Sequence, residues 1–171
     1  ARYGFVPVLS GKVLTQTSSG SAESAVAIDS TEGLSSELLN GEDQTTADTT
    51  YVNHGSDITG NAYSVTVDLK RTSDISEVDF STPTQDKLYA WRIYHYHISV
   101  SNDGTTFTDV YSGSTSNLQG FYPNSISSVT ARFVRVTIDS TELSKQSQGA
   151  TPLNAVSSVS VLGSSSGKLS N

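Results

Sequence analysis

The chain has no cysteine and no methionine. Without cysteine there can be no disulfide framework, no thiolate zinc site and no cysteine nucleophile. An extracellular location stays open, because a domain with a sufficient core does not need disulfides. No apolar run approaches the ~20 residues that span a bilayer, so membrane insertion is not expected. Charge is also scarce: Asp, Glu, Lys and Arg make up 16% of the residues. Lys and Arg are the scarcer sign, ten against seventeen acids, for a formal net charge of −7 and a pI near 4.7. That balance argues against a nucleic-acid backbone or an anionic membrane as partner. It suits a cation or a neutral ligand, and it serves solubility equally well. There is no initiator Met and no signal peptide, so the chain reads as a mature portion or an excised module.

What remains is polar without being charged. Hydrophobic residues reach 35% in 171 residues, enough for one domain with a real core. Alternation is the dominant pattern. In Tyr63–Leu69, YSVTVDL, the residues Tyr63, Val65, Val67 and Leu69 alternate with Ser64, Thr66 and Asp68. One face should pack and the other should be wet. Ile75–Phe80 alternates less regularly, and a loop with Pro83 follows over Ser81–Ala90. In Tyr94–Val100, the residues Tyr94, Tyr96, Ile98 and Val100 oppose His95, His97 and Ser99. Asn102-Asp103-Gly104 then offers residues that tolerate positive φ, as a tight hairpin requires. Ala131–Ile138 alternates strongly through Phe133, Val134, Val136 and Ile138. Val156–Leu162 reads as a closing strand. Further strand segments are expected at Gly4–Leu9, Lys12–Thr17 and Ser24–Ile28, and Ser35–Leu39 is the only weak helix candidate. Many short strands with regular turn signals predict an all-β sandwich or jelly roll. Residues 1–163 read as its single domain and 164–171 as a tail or linker.

Three stretches carry a resemblance to a known family. YSVTVDLK resembles the "VDLG" strand of discoidin or coagulation factor 5/8 C-type domains, which are galactose-binding-like. YHISVSNDGTTFTDV resembles their "Y-x-I-x-V-S-x-D-G-x-x-W" hairpin, with Phe107 at the Trp position. ARFVRVTI with the later VSSVSVLG resembles "A-R-Y-V-R-V" and the closing strand. The likeness is greatest to family 32-type carbohydrate-binding modules. It implies a jelly roll of about eight main strands with a ligand site in loops at one end. It also implies a noncatalytic module of a secreted or cell-surface protein, a monomer, bound to a glycan or polysaccharide and joined to a catalytic domain in the parent chain. The alternatives are a protein-interaction or adhesion domain and a structural spacer.

The candidate ligand residues are Tyr51, Asn53 and His54 in one loop and Asp86, Lys87, Tyr89, Trp91 and Arg92 in another. Sugars present C–H faces to aromatic rings and hydroxyls to polar side chains, and Trp91 is the only tryptophan. The competing reading has Trp91 plugging one end of the core. The family's galactose pattern, an Arg soon after a Pro and then an Asn, is missing after Pro83. Ser140–Asn154 has no aromatic residue; its Lys145, Gln146 and Gln148 could reach hydroxyls or an acidic sugar.

The loop around NGEDQTT resembles the family's calcium segment. Asn40, Glu42, Asp43 and Thr45 supply the hard oxygens a structural calcium takes. Asn40 stands where Asp is usual, and Ser157 or Ser158 where the last strand often supplies Glu. His95 and His97 share a strand face, a geometry open to zinc with Asp109 or His54 as a third ligand, though a solvent-facing or sheet-packed pair is the expectation. Glu77 and Asp79 also share a strand face. They could mimic a glycosidase carboxylate pair, but paired surface acids are the commoner meaning. No GxSxG, HExxH or phosphate-binding loop occurs, so catalysis is not expected.

Overall fold

The computed structural model describes residues 12–14, 25–29, 33–34, 62–82, 92–115, 121–143, 156 and 158–165. Every regular element among them is a strand. They are β1 (Lys12–Val13), β2 (Val26–Asp29), β3 (Gly33–Leu34), β4 (Tyr63–Ser81), β5 (Arg92–Ser101), β6 (Thr108–Ser114), β7 (Phe121–Leu143) and β8 (Ser158–Ser165). All pair antiparallel, in the order β1-β8-β4-β7-β5-β6, with β2 against β4 and β3 against β2. The expected segments Gly4–Leu9 and Ser35–Leu39 lie outside the described residues.

Two strands are longer than alternation suggested. Tyr63–Leu69 and Ile75–Phe80 form one strand of 19 residues, and Ala131–Ile138 is the middle of one of 23. Their mutual ladder loses register between Asp68 and Ser73 and again between Ile75 and Glu77. Irregularities of this kind bend a sheet sharply. The bend can be read from two rings. Tyr96 lies level with Ile138, which lies level with Tyr63, at the start of β4. Phe80 lies near its end. At ~3.3 Å per residue a straight β4 would hold those levels roughly 55 Å apart. Instead the Phe80 and Tyr96 rings meet edge-on, with centroids 4.7 Å apart.

β4 and β7 therefore double back, and the single hydrogen-bonded sheet closes into a two-layer sandwich. One layer holds β3, β2, the first part of β4, the last part of β7, β5 and β6. The other holds β1, β8, the last part of β4 and the first part of β7. Pro123 is tolerated inside β7 because this first part has a strand on one side only among the described residues.

The core lies between the layers. Val65, Val67, Leu69, Ile98, Val134, Val136 and Ile138 enter it from one side, and Ile75, Val78, Phe80, Val159 and Val161 from the other. Each such side chain contributes about 1.5–3 kcal/mol relative to exposure. The inward face of the hairpin is as alternation predicts: Tyr94, Tyr96, Ile98 and Val100 are all buried.

The outward face of β4 departs from expectation. Thr66 and Asp68 are buried rather than wet. Arg132 on β7 lays its Nε and Nη2 on the two oxygens of Asp68 at 2.8 and 3.0 Å, and the Arg135 Nε donates to Thr66 Oγ1 at 2.8 Å. Long arginine stems cover that face while the charged heads reach its polar groups. Burial alone would raise the Asp68 carboxyl, but hydrogen bonds from Arg132 and the Lys70 N–H, with both positive charges, bring it below its ordinary value.

Candidate binding face

Because β4 and β7 double back, each starts and finishes at the same end of the sandwich, here the rim. β5 begins there, at Arg92 opposite Leu143. β6 finishes there, with Ser114 opposite His95. β8 begins there, with Ser158 opposite Ser81. The strands flanking residues 83–91, 116–120 and 144–155 thus all terminate at the rim, and β4 begins there at Tyr63. The opposite end holds the β4 and β7 corners and the Asn102–Thr106 turn. In that turn only Gly104 takes positive φ, at 77°; Asn102 and Asp103 do not. Asp103 instead accepts backbone N–H bonds from Thr105 and Thr106 and a hydroxyl bond from Ser101, each at 2.8 Å, which hold its carboxyl down to about 2.

Tyr51, Asn53, His54, Asp86, Lys87, Tyr89 and Trp91 lie outside the described residues, as do Asn40, Glu42, Asp43 and Thr45. Of the ligand candidates, only Arg92 is placed, by its backbone, as the first residue of β5.

The rim's described chemistry is a polar face on β5, β6 and β7. A carboxylate can only accept, so His95 donates through Nε2 to Glu142 Oε2 at 2.7 Å, and its Nδ1 accepts from the Ser114 hydroxyl at 2.7 Å. His97 donates through Nδ1 to Asp139 Oδ2 at 2.9 Å, and its Nε2 stands 3.9 Å from Asp109 Oδ1. The two histidines are a half-exposed pair packed on the sheet face, as expected. Asp109 does reach His97, but among the described residues no group of three or more His, Asp or Glu is arranged to hold a metal ion. Spacing alone could not find the acids that pair with the histidines, because Asp139 and Glu142 sit more than 40 residues downstream.

Beneath this face an aromatic cluster ties the layers together at the rim. The Tyr96 hydroxyl donates to Asn124 Oδ1 at 2.6 Å. The Tyr96 ring stacks on Tyr111, with centroids 6.0 Å apart, and Phe80 leans on Tyr122 at 5.3 Å. Burial pushes the Tyr96 phenol well above the usual tyrosine range, and the neighbouring Tyr111 hydroxyl adds to it. Tyr111 is 37% exposed. Gly113 lets the ring pack closely: a Cβ there would stand 3.1 Å from Tyr111 Cε1. No sequence signal separated this tyrosine from the core ones, since a bulge between Ile98 and Ser99 resets the alternation of β6.

Two sequence expectations need correction or narrowing. Glu77 and Asp79 are not surface acids; they are 4% and 0% exposed. They lie on the strand face opposite Val78 and Phe80, and both are buried. Ser158, a candidate for the last-strand calcium position, shares a hydrogen bond with the Ser81 hydroxyl.

Comparison with known proteins decides the family. The sequence profile of the F5/8 type C domain matches residues 15–153. The chain belongs to the F5/8 type C domain family. Solved structures of similar fold include CpGH89CBM32-5 from Clostridium perfringens in complex with GalNAc-β-1,3-galactose. It is 17% identical with a TM-score of 0.59, over 81% of this chain and 94% of that one. CpGH89CBM32-6 from the same organism is 19% identical with a TM-score of 0.58, over 89% and 99%. A family 89 glycoside hydrolase from Clostridium perfringens in complex with PUGNAc is 16% identical with a TM-score of 0.61. There the match covers 92% of this chain but 15% of the enzyme. At these identities the likeness is one of fold, and it agrees with the galactose-binding-like β-sandwich built above. No curated protein sequence matches the chain.

Proposed function

We propose that this F5/8 type C domain is a noncatalytic carbohydrate-binding module that holds a larger secreted or cell-surface protein against a glycan or polysaccharide. Membership of the family carries the reading. Two observations support it. The doubled-back strands bring their ends to one rim, and loops on a rigid scaffold can vary without disturbing its core. The Glu77 and Asp79 carboxylates, which could mimic a glycosidase pair, are buried. CpGH89CBM32-5 is in complex with a disaccharide, and a shallow sugar site on preformed loops suits this chain too. Such sites are individually weak; their value is the raised effective concentration of a tethered catalytic domain.

Within this reading Trp91 and Tyr89 stack on the sugar ring, while Arg92, Asp86, Lys87, Asn53, His54 and Tyr51 take hydroxyls. The module acts as a monomer. Asn40, Glu42, Asp43 and Thr45 hold a structural calcium; their donors are hard oxygens of the kind calcium takes, and the ion's part is to stiffen the loop.

Affinity electrophoresis and glycan-array binding test the proposal. Trp91→Ala and Arg92→Ala are expected to abolish or strongly weaken retention while the melting temperature holds. Binding to a protein partner and to no glycan would replace this reading with the adhesion one, and turnover of chromogenic glycosides would overturn the noncatalytic role. A melting temperature that ignores a chelator would remove the calcium.

A further inference from the structure

A strand at the edge of a sheet presents backbone N–H and C=O groups that another chain can pair with, and folds blunt such edges with short strands, proline, lysine or bulges. β1 and β3, which end the sheet on two sides, are two residues each. The first part of β7 carries Pro123 and the register slip opposite Ile75 and Glu77. β6 is built differently. Among the described residues it pairs with β5 alone, runs from Thr108 to Ser114, and holds no proline, lysine or arginine. Its slip in register falls at Val110, which leaves Tyr111–Ser114 as regular strand. Thr108, Asp109, Tyr111, Ser112 and Ser114 are all exposed, on both faces of the sheet.

The ladder fixes which backbone groups face outward. Residues of an antiparallel pair turn their N–H and C=O alternately towards the partner and away. The Thr115 N–H donates to the Tyr94 carbonyl at 2.9 Å, and Gly113 and Tyr111 share its parity, opposite Tyr96 and Ile98. Ser112 and Ser114 therefore aim their N–H and C=O out from the edge. A strand added there meets the Tyr111 ring on its inner side, 37% exposed and backed by Tyr96. On its outer side it meets Asp109, one strand spacing or ~4.8 Å away and 74% exposed along its side chain. Asp139 and Glu142 follow on the same face, three spacings or about 14 Å in. Of the described bases Arg135 comes nearest, but its guanidinium lies 3.8 Å from the Phe107 ring centroid and its Nε donates to Thr66. Arg92 begins β5 beyond the last residue of β6, Lys12 lies on β1, and Lys70, Arg71 and Arg132 lie at the corner of β4 and β7.

We infer that the Tyr111–Ser114 edge of β6 takes up an extended peptide of a partner protein as a further antiparallel strand, one with lysine or arginine on the side of Asp109 and an apolar residue against Tyr111. In strand addition the backbone bonds supply affinity and the alternate side chains supply specificity. Charge selects the occupant. A basic peptide is drawn to the face that holds Asp109, Asp139 and Glu142, whereas a second copy of this chain, with its net charge of −7, sets like charge against like. The inference stands apart from the carbohydrate reading, because it uses the backbone of β6 and none of the candidate sugar ligands.

The test adds synthetic peptides to the intact, isotope-labelled chain and follows amide hydrogen exchange residue by residue. In one peptide valine alternates with lysine, and in the other with glutamate. The lysine peptide at saturation should slow exchange of the Ser112 and Ser114 amides by about tenfold or more, and leave Tyr111 and Gly113, already bonded to β5, little changed. At about 0.01 M salt, where screening is weak, the glutamate peptide should bind about tenfold more weakly. Asp109→Lys should reverse that order. Ser112→Pro removes an outward N–H, a place where an edge strand tolerates proline; it should melt as the parent chain does and lose the protection. Binding of the lysine peptide that leaves Ser112 and Ser114 unprotected overturns the inference. So does binding at full strength to Ser112→Pro, or an order of peptides that Asp109→Lys leaves unchanged. A dimer in sedimentation that protects the same amides without any peptide would replace the peptide with a second copy and overturn it too.

Discussion

The Tyr96 hydroxyl donates to Asn124 Oδ1 at 2.6 Å, linking β5 in one layer to the first part of β7 in the other. Both residues are buried, so neither group has ready water to replace its partner. Tyr96→Phe keeps the ring contact with Phe80 and strands the Asn124 oxygen. The expected cost is about 1–3 kcal/mol, seen as a lower urea midpoint with an unchanged slope. Phe80→Ala removes the other half of the junction and is expected to cost about 3–5 kcal/mol.

Asp68 and Arg132 form a two-pronged pair across the β4–β7 ladder, with the Asp68 carboxylate nearly sealed. Removing the guanidinium leaves a buried carboxylate without its main partner. Arg132→Ala is expected to destabilise by about 3 kcal/mol, measurable by denaturant unfolding. Asp68→Asn together with Arg132→Leu should cost less than Arg132→Ala alone, because no charge is then left stranded.

Lys70 has φ of 65°, the left-handed region, at the place where β4 turns its corner. Lysine is strained there and glycine is not. The Lys70 ammonium stands 3.7 Å from Asp68, a part-exposed contact of small worth. Lys70→Gly is therefore expected to stabilise the fold by about 0.5–1 kcal/mol, raising the melting temperature by about 1–4 °C. A lower melting temperature would show the ion pair outweighing the backbone strain.

Asp103 binds its proton more weakly in the folded chain, near 2, than an unfolded aspartate does, near ~3.9. Its contribution to stability is complete above the unfolded value and is lost as pH falls towards 2. Asp68 is shifted in the same direction. The melting temperature should therefore fall from about pH 4 downwards, and Asp103→Asn should flatten part of that fall. An unchanged acid limb in the variant would show that the turn's hydrogen bonds do not tie the carboxylate to folding.

Side-chain alternation has a period of two and belongs to the chain locally, so it needed no partner to be read. It placed Val65, Val67, Ile98, Val134, Val136 and Ile138 in a core, set Gly104 in the hairpin turn, and made an all-β sandwich legible. The same residues carried the likeness to F5/8 type C domains. Which outward faces meet water is a different matter, because it depends on what a distant segment lays over them. Thr66 and Asp68 are covered by arginines more than 60 residues away, and Glu77 and Asp79 are buried although they lie on the strand face opposite Val78 and Phe80. The bend between Asp68 and Ser73 is likewise invisible in a polar stretch that reads as an ordinary loop. It arises where two ladders slip against each other, and only the pairing of β4 with β7 reveals it. That bend brings both ends of β4 to one rim.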